Sequence, residues 1–308
     1  MVNFGRWRPA TPRRAAAGAP AVAALPAETT LGSVHLTVAA LDRSIRYYEW
    51  ALGLRVQHRA EARAVLGSGG RALLVLAEEP GARPADGYCG LYHFALLLPQ
   101  RADLARWLAH AARERVPLVG LSDHFVSEAV YLSDPDGHGL EIYWDRPRRL
   151  WEGQVAQRMT TLPLDTAGLL RELDDPSSEP FDELSPGTVM GHVHLRVAEI
   201  ASTTAFYRDV LGFGLMASLG GQAAFLSAGG YHHRIGANTW ESARAPQAPP
   251  GAATLQQLTI VLPNEATREH VAENLHAAGH EPERQEGGWL IRDPSGNPIA
   301  LKAASATA

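Results

Sequence analysis

The chain is nearly devoid of cysteine: Cys89 is the single thiol in 308 residues. One cysteine excludes an intramolecular disulfide framework and suits a reducing compartment, so a cytoplasmic location is expected. Cys89 has no adjacent base signature and is read as inert. Long apolar runs are also missing, and nothing reaches the roughly 20 residues that a membrane span requires. Positive charge is in deficit, with 28 Lys and Arg against 33 Asp and Glu for a net charge of −5. With no sustained basic stripe, that balance argues against a nucleic-acid partner. The GlySerGlyGly stretch at 67–70 has neither the lysine nor the strand-to-helix context of a phosphate loop, so it reads as a hairpin turn. No Ser-His-Asp arrangement stands out.

What is present is an ordinary globular composition, 45% apolar and 20% charged, and enough length for two domains with their own cores. Residues 1–30 form a separate stretch. They carry Arg6, Arg8, Arg13 and Arg14 and then an Ala/Pro-rich run, too weakly hydrophobic and too interrupted by Pro20 and Pro26 for an export signal. They are read as a flexible N-terminal leader.

The rest repeats itself. GSVHLTV at 32–38 returns as GHVHLRV at 191–197, Tyr48 answers to Tyr207, and the LeuGly pair at 52–53 to 211–212. LYHFALLLP at 91–99 returns as LQQLTIVLP at 255–263, and DPDGHGLEIYW at 134–144 as DPSGNPIALKA at 293–303. Such long-period similarity marks repeated supersecondary units. Each reads as a β-branched strand, a helix closed by glycine, and three more strands. The units span about 31–79, 90–146, 189–240 and 254–303. The expected class is α+β, with one domain over 31–146, a connector over 147–188 holding a short helix near 166–173, and a second domain over 189–303. The copies differ where chemistry would sit, for His93 and Glu141 face Gln257 and Ala300.

Four βαβββ units with these sequences resemble the vicinal oxygen chelate superfamily, which includes glyoxalase I, bleomycin-resistance proteins and type I extradiol dioxygenases. GLYHFALLLP, SDHFVSEAVYLSDPDGHGLEIY, GTVMGHVHL and GGYHHRIGANTW resemble the Bacillus-type catechol-2,3-dioxygenase family in particular. The resemblance implies units that pair into two open barrels, with two histidines and one carboxylate on a metal. That is the donor set of a mononuclear Fe(II) oxygenase, which leaves positions open for substrate and oxygen. An ionised Glu inside a barrel is costly unless paired or bound to a metal, which favours Glu141 as a ligand beside His93. The third ligand depends on which units share a barrel. Pairing units two and three supplies His194; pairing units one and two supplies His35. The accessory residues of type I extradiol enzymes favour the first, because His124 and Tyr131 lie in unit two and the pair His232–His233 in unit three.

The implied activity is Fe(II)-dependent ring cleavage of a small aromatic diol with O2, with Mn(II) or Zn(II) as other candidate metals. His233 would be the acid/base, His124 a hydrogen-bond donor to substrate, and Tyr131 a donor to a ring oxygen. His232 is expected in solvent, and His58, His110, His270, His276 and His280 at the surface. Two other readings stay open: a metal-dependent isomerase, lyase or thiol transferase, and a small-molecule binding protein of the bleomycin-resistance kind. Whether copies associate as a homo-oligomer is also open.

Overall fold

The computed structural model of the protein describes residues 22–304. The first part of the expected leader, residues 1–21, lies outside the described residues. Residues 22–29 pack on the third unit: Leu25 is buried, and its N–H donates to the Gly212 carbonyl at 2.9 Å.

Each unit opens as its sequence predicts. In the first, strand Thr30–Val38 leads into helix Leu41–Tyr47, a π turn over Tyr48–Leu52, and Gly53 in the left-handed region at φ 71°. Three strands follow, Arg55–Ala60, Arg63–Ser68 and Arg71–Glu78, the last two joined through Gly69 and Gly70, both at positive φ. The second unit runs from strand Gly90–Leu97 through helix Arg101–Arg113 to strands Gly120–Asp123, Ser127–Ser133 and Gly139–Asp145.

The units are not paired in chain order. Strand Gly90–Leu97 lies antiparallel to strand Val189–Arg196, so units two and three share one sheet. Strand Thr30–Val38 lies antiparallel to strand Leu255–Leu262, so units one and four share the other. In every unit the first strand is also hydrogen-bonded, in parallel, to the last strand of its own unit. Each sheet therefore draws one unit from residues 31–146 and one from 189–303. Consecutive units are tied differently. The Tyr48 hydroxyl of unit one donates to Asp134 in the AspProAspGly turn of unit two, at 2.8 Å.

Strand periodicity then assigns the two faces. Phe94 and Leu96, Val193 and Leu195, and Val34 and Leu36 enter one core that also takes up the helices. The alternate residues, His93 and Ala95 with His192, His194 and Arg196, project from the other face. Over that face comes the connector. Its strand Leu162–Pro163 extends the sheet at Gly120–Asp123, and Trp151, Val155 and Met159 pack on Ala217, Leu219 and Phe225 near the opposite end. The connector thus bridges the two ends of the curled sheet. Its helix runs Thr166–Leu170.

Candidate metal centre

Register places the central residues. Ala95 stands between two strands, opposite His192 on one side and Glu141 on the other, and His93 lies two residues away on the same face. These three side chains meet. His93 Nε2 is 3.1 Å from Glu141 Oε2, His192 Nε2 is 3.0 Å from the same oxygen, and the two Nε2 atoms are 3.3 Å apart. Among the described residues this is the one group of three or more His, Cys, Asp or Glu whose ligand atoms converge. All three are buried.

The contacts lie within hydrogen-bond distance, and their spacing also suits donors shared by one metal ion. Two donors about 2.1 Å from one octahedral ion stand roughly 3.0 Å apart, the edge of the octahedron. Two nitrogens and one carboxylate on one face, with a cavity opposite, are the facial arrangement used by non-haem iron and related divalent metals. Protonation agrees. Burial alone would raise Glu141, but the interactions with His192 and His93 outweigh it and hold the carboxyl well below its ordinary value. Burial lowers His192 to about 4 against the opposing pull of Glu141. Neutral imidazole and ionised carboxylate are the forms that bind a metal.

The geometry brings His192 into the converging group in place of His194, the expected third residue. His194 lies directly across from His93 in the strand register, and its nitrogens fall outside the converging group. Its Nε2 is buried without a hydrogen-bond partner. His35 is in the other sheet, opposite Gln257, with its ring against Ser33 and Arg63. Burial, then Arg63 and Lys302, lower it to about 4. That sheet has Ser33, Gln257 and Ala300 at the positions of His192, His93 and Glu141. The copy-to-copy difference that singled out His93 and Glu141 therefore also marked His192, whose counterpart is a serine. His194, matched by a histidine in the other copy, lacks that mark.

The accessory residues gather around the three. His232 is not in solvent but fully buried. Its Nε2 donates to Asp145 at 2.8 Å, and its Nδ1 stands 2.8 Å from Nδ1 of His233. A carboxylate oxygen only accepts, so an imidazole donating from Nε2 offers its Nδ1 lone pair to His233. His233 then donates from Nδ1 and keeps its own lone pair on Nε2. Burial first, then His192 and His232, hold His233 well below the ordinary imidazole value. Its ring centroid lies 4.1 Å from that of His192.

On the other side, His124 Nδ1 donates to the Thr160 carbonyl of the connector at 2.7 Å, and its Nε2 accepts from the Tyr131 hydroxyl at 2.6 Å. Burial lowers His124 and, with the Glu141 charge, raises Tyr131 well above its usual value. Tyr131 is therefore a held donor and His124 its acceptor. His110 also departs from expectation: it is buried, bonded to the Trp50 carbonyl at 2.8 Å and stacked on Phe181.

A cavity of about 480 Å³ opens on these three side chains and is lined also by Tyr131, His124 and His233. The volume lies in the range of sites for small organic ligands.

Comparison with known proteins agrees with this architecture. The model of the glyoxalase/bleomycin resistance protein/dioxygenase superfamily matches residues 30–142 and 189–301. A Bacillus subtilis (strain 168) protein named catechol-2,3-dioxygenase is 42% identical over 275 residues, covering 87% of this chain and 94% of that protein. The crystal structure of a putative dioxygenase from Bacillus subtilis superposes with a TM-score of 0.64 at 16% identity, over 92% of this chain and 87% of that one. Glyoxalase I from Zea mays superposes at 0.54 and 17% identity, over 89% and 92%. At those identities the two structures share the fold.

Proposed function

The chain belongs to the glyoxalase/bleomycin resistance protein/dioxygenase superfamily, and on that premise we propose that it is an Fe(II)-dependent extradiol dioxygenase cleaving a catechol-like diol with O2. The observation that carries the reading is the convergence of His93, Glu141 and His192 beneath a cavity lined by a lone-pair imidazole and a held phenol. The name of the 42% identical Bacillus subtilis relative supports it.

His93, Glu141 and His192 would hold Fe(II), which would supply Lewis acidity toward the diol hydroxyls and redox chemistry toward dioxygen. The protein supplies the proton handling. His233, with its lone pair on Nε2, accepts the diol proton and returns it to the product. Asp145 and His232 fix that tautomer. On substrate binding the single Tyr131 hydroxyl proton would turn from His124 to a diol oxygen. His124, anchored by Thr160, orients Tyr131 and donates to substrate only after taking up a proton itself. Met159 and Thr161 of the connector wall the cavity and limit access of water.

The test is oxygen uptake by protein purified anaerobically and reconstituted with Fe(II). With a catechol it should consume one O2 per diol and yield a yellow ring-opened product. Stoichiometric iron binding with no oxygen uptake across a broad diol panel would overturn the proposal and leave the same residues to Lewis-acid chemistry.

A further inference from the structure

The cavity holds a second feature that the metal chemistry does not use. Tyr92, His194 and Trp240 form a wall of three rings in mutual contact, with centroids 5.2 Å apart for Tyr92–His194, 5.4 Å for Tyr92–Trp240 and 5.6 Å for His194–Trp240. The wall adjoins the ligands, because the His194 ring also lies 5.1 Å from that of His93. Phe225 continues it, 5.6 Å from His194 and 5.1 Å from His233.

Three local departures from regular structure build this wall. Strand pairing passes from His194↔His93 to Leu195↔Leu91, which leaves Tyr92 as an extra residue. Such a bulge turns a side chain that would otherwise follow strict alternation, and Tyr92 lines the cavity together with His93. Beside His194 on the next strand is Gly236, where a Cβ would come within 2.8 Å of the imidazole. A glycine there is what allows the ring to lie flat against the sheet. Finally, His194 Nε2 is buried without a hydrogen-bond partner.

We propose that Tyr92, His194 and Trp240 form a second subsite that holds a planar ring attached to the diol, making the preferred substrate an aryl-substituted or fused-ring catechol rather than catechol itself. This rests on the diol-cleaving reading for the first ring and adds the class of substituent. A wall of rings, two of its three contacts edge to face, suits a flat aromatic face packed against it. An anionic arm is not favoured, because Arg196, the only Lys or Arg among the described residues lining the cavity, already stands 3.5 Å from Glu241 and 3.9 Å from Asp86.

The experiment compares catechol with a phenyl-substituted catechol on Fe(II)-loaded protein, by anaerobic titration calorimetry and by kcat/KM in air. Wild type should favour the phenyl compound. Trp240→Leu removes a ring but keeps apolar volume, and it should cut the phenyl-to-parent ratio about tenfold. Gly236→Ala, which drives the His194 ring toward the subsite, should cut the ratio as well. Iron content and circular dichroism check that each variant is folded. Equal affinity for the two diols in wild type overturns the subsite whatever the turnover, as does a ratio unmoved in both folded variants. If neither diol is cleaved while the binding preference is present and lost in Trp240→Leu, the subsite stands and the dioxygenase proposal falls.

Discussion

A buried carboxylate is costly unless charge or protons meet it, and Glu141 is met by His93 and His192 at about the spacing of ligands on one ion. Replacing one of three protein ligands removes a bond the site cannot restore. His192→Ala is therefore expected to lose metal and turnover together, whereas His35→Ala, in the other sheet, keeps its iron; metal analysis of the two variants checks this. Behind the ligands, Asp145 acts at one remove, through His232 on His233. Asp145→Asn can offer an N–H where a carboxylate only accepted, so the tautomer of His233 is no longer fixed. Turnover should fall about ten- to hundredfold with metal content unchanged. The pH profile has a definite sign as well. Burial lowers the pKa of His233 and of His124, so both remain unprotonated where a free imidazole of pKa 6.5 is half protonated. kcat/KM should stay level as pH falls through 6.5 and decline only below it; an acid limb centred at or above that value would contradict the assignment.

At the scale of elements, strands, helices and turns were legible because each has a local cause. An apolar run interrupted by His93 marked Gly90–Leu97, the AspProAspGly turn set off the strands beside it, and Gly53 ended its helix. The bulges were not legible. One extra residue at Gly191 and another at Tyr92 shift the pairing of the two central strands, and no composition signal announces either. Those shifts set which of the GHVHL histidines reaches Glu141. Gly191 is also a contact point: a Cβ there would lie 1.9 Å from the Tyr143 hydroxyl. Gly191→Ala should destabilise the protein by about 1–3 kcal/mol through overpacking and weaken metal binding at the adjoining His192. Thermal unfolding with and without metal measures both effects.

At the scale of the molecule, four units with the same pattern give little reason to prefer one pairing over another. Hydrophobic periodicity is satisfied by either, so it is silent on the choice. The information lay in residues that need one another, the HisHis pair of unit three with His124, Tyr131 and Glu141 of unit two. The family resemblance was readable from long shared strings, and the α+β architecture of curled sheets followed from it. The place of His192 in the converging group did not follow, since a repeat draws the eye to what the copies share. Exchange of units has a consequence for stability. Residues 31–146 alone would leave the strands Thr30–Val38 and Gly90–Leu97 each with an unpaired edge. That fragment should fail to give a folded monomer, and co-expression with residues 147–304 should rescue it; size-exclusion chromatography distinguishes the cases. The central claim, that this pairing assembles a ring-cleaving metal site, is tested most directly by turnover of a catechol under isotopically labelled dioxygen, followed by mass spectrometry of the product. The account predicts both labelled atoms in the ring-opened acid, and loss of that product in His192→Ala. A product carrying no label from dioxygen, or labelled product undiminished in His192→Ala, would contradict it.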